Sequence, residues 1–198
     1  MRYKIHQIYY DTESFTNCYN HPNVELYYNS RASDFFENDV IIHLRPQMPY
    51  YDYFGAWSHR HRFKIQGQRF TFEEMENRLT VDVLAFQRFL RNGRIFSGIW
   101  EKKYRDMFNL VMIKIGLSYR FPNKPKFIVM QNHFICKGEI YADYVDSVLK
   151  PATEIIKEMP ESLEKTNYKD GSYNYRPFLC ERLFSAYLED KNYICEQW

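Results

Sequence analysis

The sequence predicts one α/β domain over residues 1–198, with a mostly parallel central sheet covered by helices on both faces. Three observations carry that expectation. Strand-like and helix-like runs alternate along the chain, the order expected of α/β layers. Runs such as Val40–Leu44 are apolar on both faces, as in strands buried on two sides. No repeat, low-complexity linker or composition break divides the 198 residues, a length that suits one domain.

The elements follow in order. Tyr3–Tyr10 is β-branched and aromatic and reads as a core strand ending at Asp11. Val24–Tyr28 is a short second strand. Ser33–Glu37 opens with a plausible cap and reads as one or two helical turns. Val40–Leu44 reads as a third strand, and Tyr50–Ser58, after the prolines at 46 and 49, as a fourth. Thr71–Leu79 carries a capping box, Thr71 with Glu74 three residues on. Val81–Phe86 is a strand candidate. Tyr104–Ile115 places Met107, Phe108, Val111, Met112 and Ile115 on one helical face, closed by Gly116. Phe127–Met130 reads as a sixth strand. Gly138–Glu158 is a long helix that Pro151 must kink or divide. Lys165–Tyr175 is a tyrosine-rich loop with an Asp170-Gly171 turn. Pro177–Leu188 is the last helix, with Pro in its first turn.

Composition narrows the partners. Basic and acidic residues nearly balance, 27 against 25, so a nucleic-acid partner is not expected. The basic residues cluster locally, at His59–Arg62 and Arg88–Arg94, which suits a small anion such as a pyrophosphate. Aromatic residues make up 19% of the chain. Tyrosine is the informative part, because its ring packs while its hydroxyl reaches water or ligand. Cys18, Cys136, Cys180 and Cys195 form no close pair and read as reduced thiols, neither zinc ligands nor a disulfide framework. The start lacks an apolar signal core, and no window approaches the ~20 apolar residues of a transmembrane segment. The expected location is cytoplasmic.

Three stretches carry candidate chemistry. In Asp52–Phe63 a buried strand ends in His59, Arg60, His61 and Arg62, where open α/β sheets place their ligand crevice. If the strand persists, the two histidines share one side and the two arginines the other. Paired arginines clamp a phosphate with bidentate hydrogen bonds; the plainer alternative is a charged edge strand. In Gln131–Phe134, read as following a strand, Asn132 and His133 suit sugar hydroxyls, and His133 is a candidate base. In Tyr173–Leu183, Glu181 sits one turn into an apolar helix beside Arg182. A half-buried carboxylate there is a general base or one half of a structural pair. Asp143 with Asp146, and Asp11 with Glu13, carry less weight. No Gly-rich phosphate loop, G-x-S-x-G elbow or H-E-x-x-H is present.

Together these stretches resemble a glycosyltransferase-like family of bacterial polysaccharide and capsule loci. Gly55–Phe63 resembles its Gly-Leu-x-His-Tyr-Arg-Arg-Tyr-Phe strand end. Phe178–Phe184 resembles its Phe-Leu-Ala-Glu-Arg-Leu-Phe helix. Asn132–Lys137 is similar to its Asn-x-Phe-Ile-hydrophobic-Lys segment, and Tyr144 lies on the helix that follows. Ser58 stands near the position where that family has histidine, with His59 one place off. The resemblance implies a GT-A-like, Rossmann-like three-layer fold and transfer of a sugar from a nucleotide-sugar donor to a glycan acceptor. It assigns Asp52, His59, Arg60, His61, Arg62, Asn132, Tyr175 and Arg182 to substrate binding, and Glu181 or His133 to catalysis, with the Tyr168/Tyr173/Tyr175 loop as a cover. Metal-dependent members hold Mg²⁺ or Mn²⁺ with an Asp-x-Asp pair. This sequence has none, so no metal ligand is assigned, while Mg²⁺ or Mn²⁺ stays open: either Arg60 and Arg62 neutralise the diphosphate instead, or the donor chemistry is absent and the domain only binds. A non-catalytic glycan- or protein-binding module, or a phage or mobile-element accessory protein that keeps the fold, is the alternative.

Overall fold

Strand β1 (Tyr3–Tyr9) is flanked by two parallel partners: β2 (Val24–Tyr28), with Ile5 opposite Val24, and β3 (Tyr53–Ser58), with Ile5 opposite Gly55. The structure, a computed structural model, describes all residues except 31–34, 66–68, 87–98, 130–131, 160–165, 169–170 and 174. Beyond β3 the sheet continues through β5 (Phe134–Lys137) and β4 (Val83–Ala85) to β8 (Cys195–Gln197). Only β5 runs against its neighbours; β4 and β8 are parallel. The result is a six-stranded, mostly parallel mixed sheet in the order β2-β1-β3-β5-β4-β8, compatible with a Rossmann-like three-layer fold.

Successive strand residues point to opposite faces, and two apolar clusters follow that alternation. Ile8, Phe54, Ala56, Val83, Phe134 and Cys136 enter the larger cluster. It also contains residues of α2 (Glu37–Leu44), α5 (Ile99–Lys114), α6 (Gly138–Tyr144), α7 (Lys150–Lys157), α8 (Arg176–Cys180) and α9 (Leu183–Glu189). Tyr3, Ile5, Tyr53, Trp57, Leu84 and Ile135 enter the second cluster, beneath Met75 of α4 (Phe72–Arg78). Two short helices, α1 (Thr12–Thr16) and α3 (His61–Lys64), follow β1 and β3. No helix among the described residues is long and apolar enough to cross a membrane.

Several elements depart from the sequence expectation. Val40–Leu44 is the body of α2 and not a strand; a short apolar run does not distinguish the two by periodicity. Its cap is Phe36 at φ 51°, while Ser33 and Asp34 lie outside the described residues. Phe127–Val129 is not a strand, with Met130 outside the described residues; the strand begins later, at Phe134. Strand Val81–Phe86 shortens to β4. In the long helix, Val145–Leu149 forms a π turn directly before α7. Pro151 lacks an N–H and crowds the carbonyl one turn back, and the wider π turn accommodates it. The tyrosine-rich loop contains a hairpin, β6 (Thr166–Tyr168) with β7 (Gly171–Tyr173), whose turn residue Asp170 lies outside the described residues. The last helix breaks at Glu181–Arg182.

His6 of β1 is wholly buried, 5.3 Å from the ring of Phe54. Burial is the main cause that pushes its pKa down to about 4; Glu25 pulls it up and Lys4 pushes it down. The folded state therefore binds fewer protons than the unfolded one below the ordinary histidine value. Stability is full above about pH 6.5 and falls as pH drops toward 4, by about 3 kcal/mol in all. Urea melts between pH 7 and 4 should show a shallower loss for His6→Gln than for the wild type. Identical slopes would remove His6 as the cause.

Candidate functional site

The strand order creates a switch point between β1 and β3. The chain leaves β1 toward β2 on one side, then returns to place β3 on the other. Open α/β sheets bind ligands at the carboxyl ends of strands at such a point. After β1, Asp11 caps α1: its carboxylate accepts the N–H of Ser14 at 2.7 Å, and its own N–H donates to the Ser14 hydroxyl at 2.8 Å. This capping box turns the chain sharply away and leaves Tyr10 facing the end of β3.

At the end of β3 the ladder continues one residue beyond the strand, with the His59 N–H donating to the Ile8 carbonyl at 2.8 Å. His59 is buried, its ring edge-on to Tyr10 at 5.3 Å. The strand does not persist through Arg62, as the even alternation of side chains requires. The chain instead turns into α3, with Arg60 at its cap and Arg60 and Arg62 both exposed. His61 folds back onto the second face, its ring parallel to the indole of Trp57 at 4.0 Å and 6°. The Trp57 Nε1 donates to the Phe134 carbonyl at 2.7 Å, which fixes the platform under His61.

Tyr19, invisible to the sequence analysis, ties this region together. Its hydroxyl lies 3.2 Å from His61 Nδ1, and the Arg62 guanidinium lies 4.7 Å from the centre of its ring. Its backbone N–H is held by the Gln7 amide oxygen at 2.7 Å. Burial is the main cause that pushes the Tyr19 hydroxyl up to about 12, against the opposing pull of Arg62. It therefore remains a neutral hydrogen-bonding group. Cation–π stacking gives Arg62 a defined position that a free surface arginine lacks.

His133 reaches the same place by a route opposite to the expected one. It precedes β5 and does not follow a strand, but β5 is antiparallel to β3, so its beginning meets the end of β3. His133 is wholly buried, 5.3 Å from His61 ring to ring, and its carbonyl accepts the Phe86 N–H at 2.9 Å. Asn132 before it is buried at φ 55°, a left-handed conformation that asparagine tolerates. Gln131 lies outside the described residues.

The remaining candidates lie elsewhere. Asp52 is at the opposite, amino end of β3, about 20 Å along the strand from Ser58. Its carboxylate accepts the Arg2 N–H at 2.6 Å, and its carbonyl accepts that of Gly138 at 3.2 Å. It shapes the start of the strand. Tyr175, expected in a cover, is wholly buried and stacked on Tyr104 at 5.9 Å. Glu181 and Arg182 occupy the break between α8 and α9, whose flanking residues Cys180 and Leu183 pack in the larger cluster. They therefore sit across the sheet from His61 and His133. Arg182 is buried, donates to the Phe178 carbonyl and lies 3.8 Å from the Glu181 carboxylate. Burial lowers the pKa of its guanidinium, opposed by Glu181. Helix α9 is docked on β5 by Phe184, stacked on Phe134 at 4.0 Å, while Ser185 exchanges hydrogen bonds with Val129 in the segment before that strand.

No family model, curated protein or solved structure matches the chain. The physical arrangement alone therefore carries the functional argument. Exposed Arg60 and stacked Arg62 suit the oxygens of a phosphate or diphosphate. The Arg88–Arg94 cluster lies outside the described residues. Among the described residues, no group of three or more His, Cys, Asp or Glu side chains is placed to hold a metal ion.

Proposed function

We propose that the protein is a glycosyltransferase-like enzyme that holds a nucleotide-sugar donor across the carboxyl ends of β1 and β3. The observation that carries this reading is the pair Arg60 and Arg62, exposed at the end of β3 beside the switch point. Two guanidinium groups there would neutralise the diphosphate as it leaves with the bond to the sugar breaking. His59 directly precedes Arg60 at the end of β3, and Asn132 precedes His133, whose ring lies 5.3 Å from that of His61. Glu181, the base expected from the sequence, sits across the sheet from His61 and His133 beside buried Arg182, so the reading assigns it no proton transfer. The acceptor is a glycan.

A second reading, a non-catalytic binding module, is favoured by one specific feature. Both groups expected to do acid–base work are engaged in packing: His133 is wholly buried, and Glu181 lies beside buried Arg182. Turnover separates the two readings, since a binding module would bind donor without consuming it.

Thermal shift with UDP-, GDP- and CMP-sugars tests the donor site; a ligand at ~100 times its Kd adds about 2.7 kcal/mol to stability. For Arg60→Ala the expected result is a loss of donor affinity of roughly tenfold to a hundredfold. Its melting temperature should match the wild type, because Arg60 is exposed. Unchanged donor affinity in Arg60→Ala, or no stabilisation by any nucleotide sugar, would sink the reading.

A further inference from the structure

We propose a second binding site, for a neutral saccharide ring, in the cleft between the α1–β2 connection and β2. The inference differs from the donor reading in ligand charge and in its aromatic and polar walls, and shares with it Tyr19, on which Arg62 of the donor site stacks. Residues after α1 cross the second face of the sheet and leave a cleft of about 370 Å³ above Val24 and Leu26. That volume lies within the ~300–1,000 Å³ range of small-molecule sites.

The walls supply both halves of sugar recognition. Phe15 lines the cleft and is 47% exposed, although it packs edge-on against Tyr9 at 5.2 Å. Tyr9 also contacts Tyr28, itself 57% exposed, so an aromatic patch extends from the mouth of the cleft along the sheet edge. Aromatic rings bind the C–H face of a pyranose while polar neighbours take its hydroxyls.

The polar neighbours are Asn20 and His21. The Asn23 N–H donates to His21 Nδ1 at 3.2 Å, so the neutral ring carries its hydrogen on Nε2 and presents a donor. That ring is immobilised on Phe72, stacked at 3.9 Å and 14°. Tyr19 forms the inner wall and is itself fixed by Gln7 and His61. Among the described residues the lining contains no Asp, Glu, Lys or Arg; the guanidinium of Arg62 stands beside it, engaged over the Tyr19 ring at 4.7 Å. An uncharged ring with one apolar face and several hydroxyls is the ligand class that fits.

The test is ¹H–¹⁵N NMR titration of the full chain with the methyl glycosides of glucose, galactose, mannose and N-acetylglucosamine, and separately with uridine. The expected result is saturable shifts of residues 15–26 with at least one glycoside, at a Kd of about 1 mM or tighter. Phe15→Ala should weaken that binding roughly tenfold while the melting temperature stays near that of the wild type. Arg60→Ala should leave it unchanged. The proposal is overturned by no glycoside response at residues 15–26, by uridine alone binding there, or by wild-type affinity in Phe15→Ala. Glycoside binding retained beside a failure of every nucleotide sugar would overturn the donor reading and leave this one standing.

Discussion

Gly138→Ala should be among the most damaging single substitutions in the chain, costing at least about 3 kcal/mol against a typical total of about 5–15. A Cβ on Gly138 would stand 2.1 Å from the Met48 carbonyl oxygen and 2.4 Å from that of Tyr51. Both are backbone atoms, so no side-chain rotation relieves the clash. The 3-10 segment Arg45–Tyr50 would have to retreat. It is continuous with α2 on one side and leads into β3 on the other, and the Gly138 N–H is itself bonded to the Asp52 carbonyl. The better helix propensity of alanine returns only about 1 kcal/mol. Gly116→Ala is the natural control. Gly116 sits at φ +77° with nothing within 4 Å of an added Cβ, so its cost is conformational, about 1–2 kcal/mol. Urea denaturation of the two variants should rank them clearly, and a Gly138→Ala protein within about 1 kcal/mol of wild type would contradict the packing described.

Trp57→Ala should cost about 3–5 kcal/mol and should also loosen the candidate site. The indole is wholly buried, meets Phe86 edge-on at 5.0 Å and forms the platform for His61. It fits because its neighbour in the strand is Gly55, where an added Cβ would lie 2.9 Å from the indole nitrogen. Trp57→Phe keeps an aromatic surface but leaves the Phe134 carbonyl without its indole donor, for about 1–3 kcal/mol. Denaturation read alongside donor binding gives the check. Equal affinity for donor in wild type and Trp57→Phe would show that the His61 stack does not shape the ligand position.

The sequence was most legible where local chemistry decides the outcome. Thr71 accepts the Glu74 N–H at 3.1 Å, as its spacing suggested, and α5 ends at Gly116 in the left-handed region. The first two strands were readable from β-branched and aromatic runs. Val40–Leu44 was not, because its four apolar residues satisfy a buried strand and a buried helix face equally well. Strands β4, β5 and β8 are three or four residues long, too short for a period to show. At the candidate site, the burst of histidine and arginine after β3 was visible because a strand end and a charge cluster coincide. The contribution of Tyr19 was not, since only the return of the chain beside β3 brings it to His61. Tyr175 has the composition of a cover residue, but tertiary packing claimed its ring.

The one reversed strand has a consequence for how the molecule assembles. Its central strand, β3, pairs Tyr53 with Tyr3 on one edge and with Lys137 on the other. Those partners lie far away in opposite directions along the chain, so neither ladder grows from a local hairpin. Loop-closure entropy must be met before either ladder repays it, which places the protein among topologies of high contact order and slow folding. The β1–β2–β3 half closes over the shorter separations and should gain amide protection first in pulse-labelled refolding. The β5–β4–β8 half then zips on, and only that late step brings His133 to His61.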